Sequence, residues 1–160
     1  MAGKVLITYG TRPLAQRVAK LLEGRYGVLF GSADDIPEVL VQTGNYVRLP
    51  GAHTAAFEHV LLRVCLDNGI DVVIPLGGEE IDLLARTKPL FAEYGIAVWV
   101  PDPAPGESLA RLVNPERRLP LVVLDHGMAV AGGHQEGQPA TLSGVFTRPA
   151  PLEGLTLCCF

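Results

Sequence analysis

Lys4–Tyr9 reads KVLITY and runs into Gly10-Thr11-Arg12-Pro13, after which Leu14–Leu22 reads LAQRVAKLL. Six mostly apolar residues closed by a glycine have the length of a strand buried in a parallel sheet. A hydroxyl residue followed closely by proline is helix-start chemistry. Beyond it Leu14, Val18, Leu21 and Leu22 recur at helical spacing, with Gln16, Arg17, Lys20 and Glu23 on the other face. Strand, tight turn and amphipathic helix form the opening unit of an α/β fold.

The same alternation continues outward. Tyr26–Phe30 predicts a second strand and Tyr46–Leu49 a short third. Thr54 is expected to cap a helix that carries Phe57, Leu61 and Cys65 and ends at Gly69. Ile70–Pro75 predicts a fourth strand, Gly77–Glu80 the turn into a helix that Pro89 interrupts, and Ile96–Val100 a fifth strand. Such alternation implies a mainly parallel Rossmann-like sheet with right-handed crossovers and helices on both faces. With the first strand central, the second beside it and the fourth on its other side, the chain reverses direction between strands one and four. Ligands in open α/β sheets bind outside the carboxyl ends of strands at such a reversal. The expected crevice therefore lies at Gly10–Pro13 and Leu76–Glu80.

The character changes after Pro101. Residues 1–103 are expected to form the Rossmann-like domain, 104–118 a linker with a short helix at Glu107–Val113, and 119–160 a β-hairpin extension. Its strands are Leu121–Leu124, Met128–Ala131, Thr141–Thr147 and Leu155–Phe160, parted by turns such as Gly132–Pro139. The apolar end Leu155–Phe160 is expected to be an edge strand through which two chains pair as a homodimer.

The first hundred residues resemble the pre-ATP-grasp domain, the N-terminal Rossmann-like unit of ATP-grasp carboxylate–amine ligases similar to the large chain of carbamoyl-phosphate synthase. The resemblance is carried by KVLITYGTRPLAQRVAKLL, YVRLP, FEHVLLRVCLDNGIDVVIPLGGEEIDLLA and LFAEYGIAVWVPDP, in that order. It implies that Gly10, Thr11 and Arg12 in the first loop, and Gly78, Glu79 and Glu80 in the second, help hold a substrate. Helix-start amides and Arg12 suit a carboxylate or phosphate, and Glu80 suits an amine. The bland reading is that the glycines only allow tight turns and the acids are first-turn charges favoured by the helix dipole. Where the family passes into its catalytic lobes, this sequence has Asn114-Pro115-Glu116-Arg117-Arg118, and no lysine follows Lys88. The resemblance thus implies a binding module for a small carboxylate or amine metabolite, or for a separately encoded ATP-grasp partner, and not an autonomous ligase. No catalytic residue or cofactor is assigned. Such a role further requires that Arg12 and Glu80 share one cleft and that the C-terminal segment leave it clear.

Two alternatives stand beside it: a nucleotide- or NAD(P)-binding Rossmann-type enzyme, and a non-catalytic oligomeric remnant or fragment of a ligase. Against the first, the loop Gly10–Ala15 holds one glycine, so G-x-G-x-x-G is absent, although Asp34 stands where a ribose-binding acid belongs. Asp125, His126 and His134 match no metal-ligand spacing, Ser143 lies outside a G-x-S-x-G elbow, and Cys158-Cys159 is vicinal, not C-x-x-C. With 13 basic against 17 acidic residues the net charge is -4, which disfavours a nucleic-acid partner. No apolar run approaches the ~18 residues of a membrane span. Three cysteines and no signal-peptide pattern lead to the expectation of a cytoplasmic protein with buried, reduced thiols.

Overall fold

The computed structural model describes residues 3–103, 109–132, 138–148 and 154–160. Five strands form the first sheet: β1 (Lys4–Ile7), β2 (Gly27–Ser32), β3 (Tyr46–Arg48), β4 (Val72–Ile74) and β5 (Ala97–Val98). All pair in parallel, in the order β3-β2-β1-β4-β5. The protein is therefore a Rossmann-like α/β fold, with the reversal between β1 and β4. Helices α1 (Pro13–Leu22), α3 (Phe57–Asn68) and α4 (Gly78–Glu93) connect these strands, with a five-residue helix α2 (Glu38–Gln42) that sequence periodicity did not reveal.

Two expected punctuation marks act differently. Thr54 does not cap α3; its hydroxyl turns back to the Gly51 carbonyl at 2.7 Å, and Ala56 stands at the cap. Pro89 lies inside α4 without ending it. The proline is exposed, so solvent can take the carbonyl that its missing N–H leaves unbonded.

The second sheet joins β6 (Arg111–Val113), β7 (Val122–Asp125), β8 (Met128–Gly132), β9 (Gly144–Thr147) and β10 (Thr156–Cys159) in the order β6-β10-β9-β7-β8. Arg111–Val113 was expected as helix or linker; it is instead a strand parallel to β10. The expected turn Gly132–Pro139 and helix start at Glu107 lie partly outside the described residues, as does His134. Nor is the C-terminal strand an edge: β10 runs between β6 and β9 and is fully buried. Its unpaired backbone groups are thus consumed within the chain, removing the expected pairing surface.

Alternate residues of the second sheet enter two different cores. Val122, Leu124, Leu157 and Cys159 pack in a cluster with Leu61, Leu84 and others from α3 and α4. Leu121, Val123, Val145 and Cys158 join Val5, Ile7, Leu14 and Val18 on the α1 side. The period of two sends neighbours to opposite faces, so both sheets share both cores. No helix among the described residues is long and apolar enough to cross a membrane.

Candidate functional site

The loops after β1 and β4 begin abreast. The Thr8 N–H donates to the Ile74 carbonyl at 3.1 Å, and the Leu76 N–H donates to the buried Thr8 hydroxyl oxygen at 2.8 Å. Parallel pairing thus brings Gly10–Arg12 and Gly78–Glu80 to one end of the sheet, but it gives the six residues different environments.

Gly10 is used by the fold: its N–H donates to the Gly31 carbonyl at 3.0 Å, and a Cβ there would run into Phe30. Thr11 is half-buried in the turn. Arg12 stands at the N-cap of α1, with extended backbone and no side-chain cap bond. Its Nε and Nη2 both reach one oxygen of Asp34, at 3.1 and 3.0 Å, in a pair 41% exposed on each side.

In the second loop, Gly78 and exposed Glu79 open α4. Glu80 is 5% exposed. Its carboxylate accepts a long 3.4 Å bond from the Gly77 N–H, half of a capping box, since glycine has no side chain to return the bond, and it is separately hydrogen-bonded by Thr8. Burial nevertheless prevails and pushes its carboxyl up to about 7, against the two hydrogen bonds that lower it. A partly protonated, buried carboxyl makes a poor anion for an incoming amine. No ion pair joins Arg12 to Glu80 among the described residues. Tyr9 lies between their fields, its phenol raised chiefly by burial and then by Glu80, Asp34 and Glu79, with Arg12 opposing. Tyr9 has left-handed backbone (φ 52°), and its ring lies where a Cβ on Gly77 would stand.

The C-terminal segment does not stay clear. The Phe160 N–H donates to the Leu76 carbonyl at 2.7 Å. Its ring lies 5.3 Å from that of Tyr9 and 4.4 Å beneath the Arg12 guanidinium carbon. Sequence reasoning missed Tyr9, assigned to the end of a strand, and Phe160, assigned to a dimer edge. Only the adjacency of β10 to this end of the first sheet reveals them.

Beside the crevice, a cavity of ≈ 710 Å³ lies between α1 and Asn114–Arg117. Arg17 builds its wall by donating to the carbonyls of Pro115, Glu116, Arg117 and Leu119, at 2.6–3.4 Å. Lys20 and Arg117 line it without an ion pair among the described residues.

All three cysteines are free and buried, with the Cys65 and Cys158 thiols pushed up to about 12 by burial, far from a reactive thiolate. No group of three or more metal-binding side chains occurs among the described residues. No known protein family matches the chain, and no curated protein matches it.

Proposed function

We propose that this protein is a binding module of the pre-ATP-grasp kind, without ligase activity of its own, which takes a small carboxylate at the β1–β4 reversal. The observation that carries this reading is Arg12 at the uncapped start of α1, where the helix dipole and the first-turn amides favour an anion. Arg12 is held by Asp34 and by the Phe160 ring, so the clear cleft expected from the sequence is absent, and an incoming carboxylate has to displace these weak contacts. An exposed ion pair contributes about 0–1 kcal/mol and an exposed cation–π contact roughly 0.5–1 kcal/mol. A carboxylate can therefore replace Asp34 at a cost of up to about fivefold in affinity. Glu80 is different, because recruiting it would expose a buried side chain and undo the start of α4. The reading thus narrows from carboxylate or amine to carboxylate, and any amine on the ligand falls to the displaced Asp34.

Isothermal titration with acetate, glycine and NAD(P) tests it. Carboxylates are expected to bind, Arg12→Ala to abolish binding, and Asp34→Asn to tighten it several-fold by removing the competing anion. A response to NAD(P) alone, or carboxylate binding indifferent to both substitutions, sinks the proposal.

A second reading is favoured by the Arg17-built groove. It adjoins Asn114–Arg118, the point at which the family that the sequence resembles passes into its catalytic lobes, and a separately encoded ATP-grasp partner would dock there. Co-purification with such a partner, lost on Lys20→Glu with Arg117→Glu, is the expected result.

A further inference from the structure

The groove beside the crevice carries charge of the opposite sign to the chain as a whole. Two cavities, of ≈ 710 Å³ and ≈ 460 Å³, share Arg17, Lys20 and Arg117 in their walls, on a molecule whose net charge is -4. Glu116 is the carboxylate in those walls, and Arg118 takes it at 2.5 Å. None of the three shared cations has an acidic partner among the described residues. The terminal N–H groups of half-buried Arg17 go to the carbonyls of Pro115, Glu116, Arg117 and Leu119, which satisfies its hydrogen bonds but leaves its charge without a counter-ion. Like charges gathered in a concave site raise one another's energy, and an anion placed among them relieves it. The same bonds hold the turn that the Leu119 N–H closes on the Glu116 carbonyl at 3.0 Å, so the backbone of Arg117 is fixed against α1 before any ligand arrives.

From this arrangement we infer that the Arg17 groove is a binding site for a small phosphate monoester, contacted by Lys20 and Arg117, with Arg17 a positioning residue that adds charge. A phosphate monoester is largely dianionic at neutral pH and presents three acceptor oxygens, which suits the Arg117 fork and the Lys20 ammonium together better than a single carboxylate does. The larger cavity falls within the roughly 300–1,000 Å³ of small-molecule sites. A long polyanion such as nucleic acid would meet the net negative charge of the rest of the surface. The inference does not rest on the carboxylate reading at Arg12, and its rival for the same cations is an acidic segment of a docked protein partner. The bland account is that Lys20 is a last-turn cation favoured by the helix dipole and Arg117 a solvated turn residue, which leaves the two indifferent to any common ligand.

Isothermal titration with glycerol 3-phosphate, at neutral pH and physiological salt, separates these accounts. Lys20→Gln and Arg117→Gln are each expected to weaken binding about tenfold, as the loss of a charge-assisted hydrogen bond implies. Both side chains are exposed, so the wild-type Tm is expected in each variant. Glu116→Gln should tighten binding severalfold, because it removes the carboxylate from the wall and frees Arg118. Arg12→Ala should leave phosphate binding unchanged, which keeps this site distinct from the carboxylate crevice. Dimethyl phosphate, a monoanion, is expected to bind at least tenfold more weakly than glycerol 3-phosphate. Equal binding of the two phosphates, or binding that Lys20→Gln and Arg117→Gln leave unchanged, overturns the inference. No binding of glycerol 3-phosphate overturns it too, and leaves the groove to a protein partner.

Discussion

The Arg12 guanidinium lies 4.4 Å over the ring of Phe160, joining the loop after the first strand to a residue 148 positions further along the chain. With the Phe160 N–H on the Leu76 carbonyl, this contact pins the end of the second sheet to the ligand end of the first. Phe160→Ala is expected to lower stability by about 1–2 kcal/mol, from the lost cation–π and ring contacts. For a chain of this size that is a fall of roughly 2–8 °C in Tm. Phe160→Leu should recover part of it. Differential scanning calorimetry decides, and an unchanged Tm in Phe160→Ala would show that the ring contributes nothing to the fold.

Glu80 makes stability depend on pH in an unusual direction. Its carboxyl is raised from 4.5 to about 7 by burial, so between those values the folded chain holds a proton that the unfolded chain has released. Its contribution is greatest below pH 4.5, declines as pH rises to about 7, and is constant above that. At ~1.4 kcal/mol per pKa unit the full change is about 3 kcal/mol. Glu80→Gln keeps an acceptor for the Gly77 N–H and removes the titration. Relative to wild type, the variant is expected to gain up to about 3 kcal/mol between pH 4.5 and 8 in urea melts. A difference that does not change with pH contradicts the buried-carboxyl account.

The two glycines of the candidate loops should respond oppositely. A methyl at Gly10 meets Phe30, and such overpacking typically costs 1–3 kcal/mol, so Gly10→Ala is expected to destabilise. At Gly78 the nearest atom to an added Cβ is Arg111 Nη1, at 3.9 Å, and the residue is helical. Gly78→Ala is therefore expected to be neutral or to stabilise by about 0.4–1 kcal/mol, through the unfolded chain. Thermal melts of the pair check this. Equal losses at both positions would mean that Gly78 also is under steric constraint.

Arg17 holds four backbone carbonyls of 115–119 against α1. Hydrogen bonds to a charged donor contribute about 1.5–3 kcal/mol at most, and less where water reaches the carbonyls, so Arg17→Ala is expected to cost roughly 2 kcal/mol. Lysine has one donor centre in place of a planar fork, and Arg17→Lys should restore little. Amide hydrogen exchange ought to rise first at Leu119, whose N–H bonds Glu116 within the clipped segment. Unchanged exchange there in Arg17→Ala would refute the clip.

What the sequence determined by itself is the first sheet and its point of reversal. KVLITY, IDVVIP and the glycines between apolar runs are local signals, and right-handed crossovers leave few ways to order the strands, so the abreast loops at Gly10 and Gly78 were legible before any coordinates. The tertiary structure alone decided what those loops contain. Residues 111–113 become a strand because β10 offers them a parallel partner, and β10 is interior because β6 and β9 flank it. Glu80 lies buried beside Thr8, 72 residues earlier, whose hydroxyl bonds its carboxylate. Periodicity reports which face of an element is apolar. It carries no information about which distant backbone or ring will cover that face, because that choice is made by packing between segments far apart in the chain.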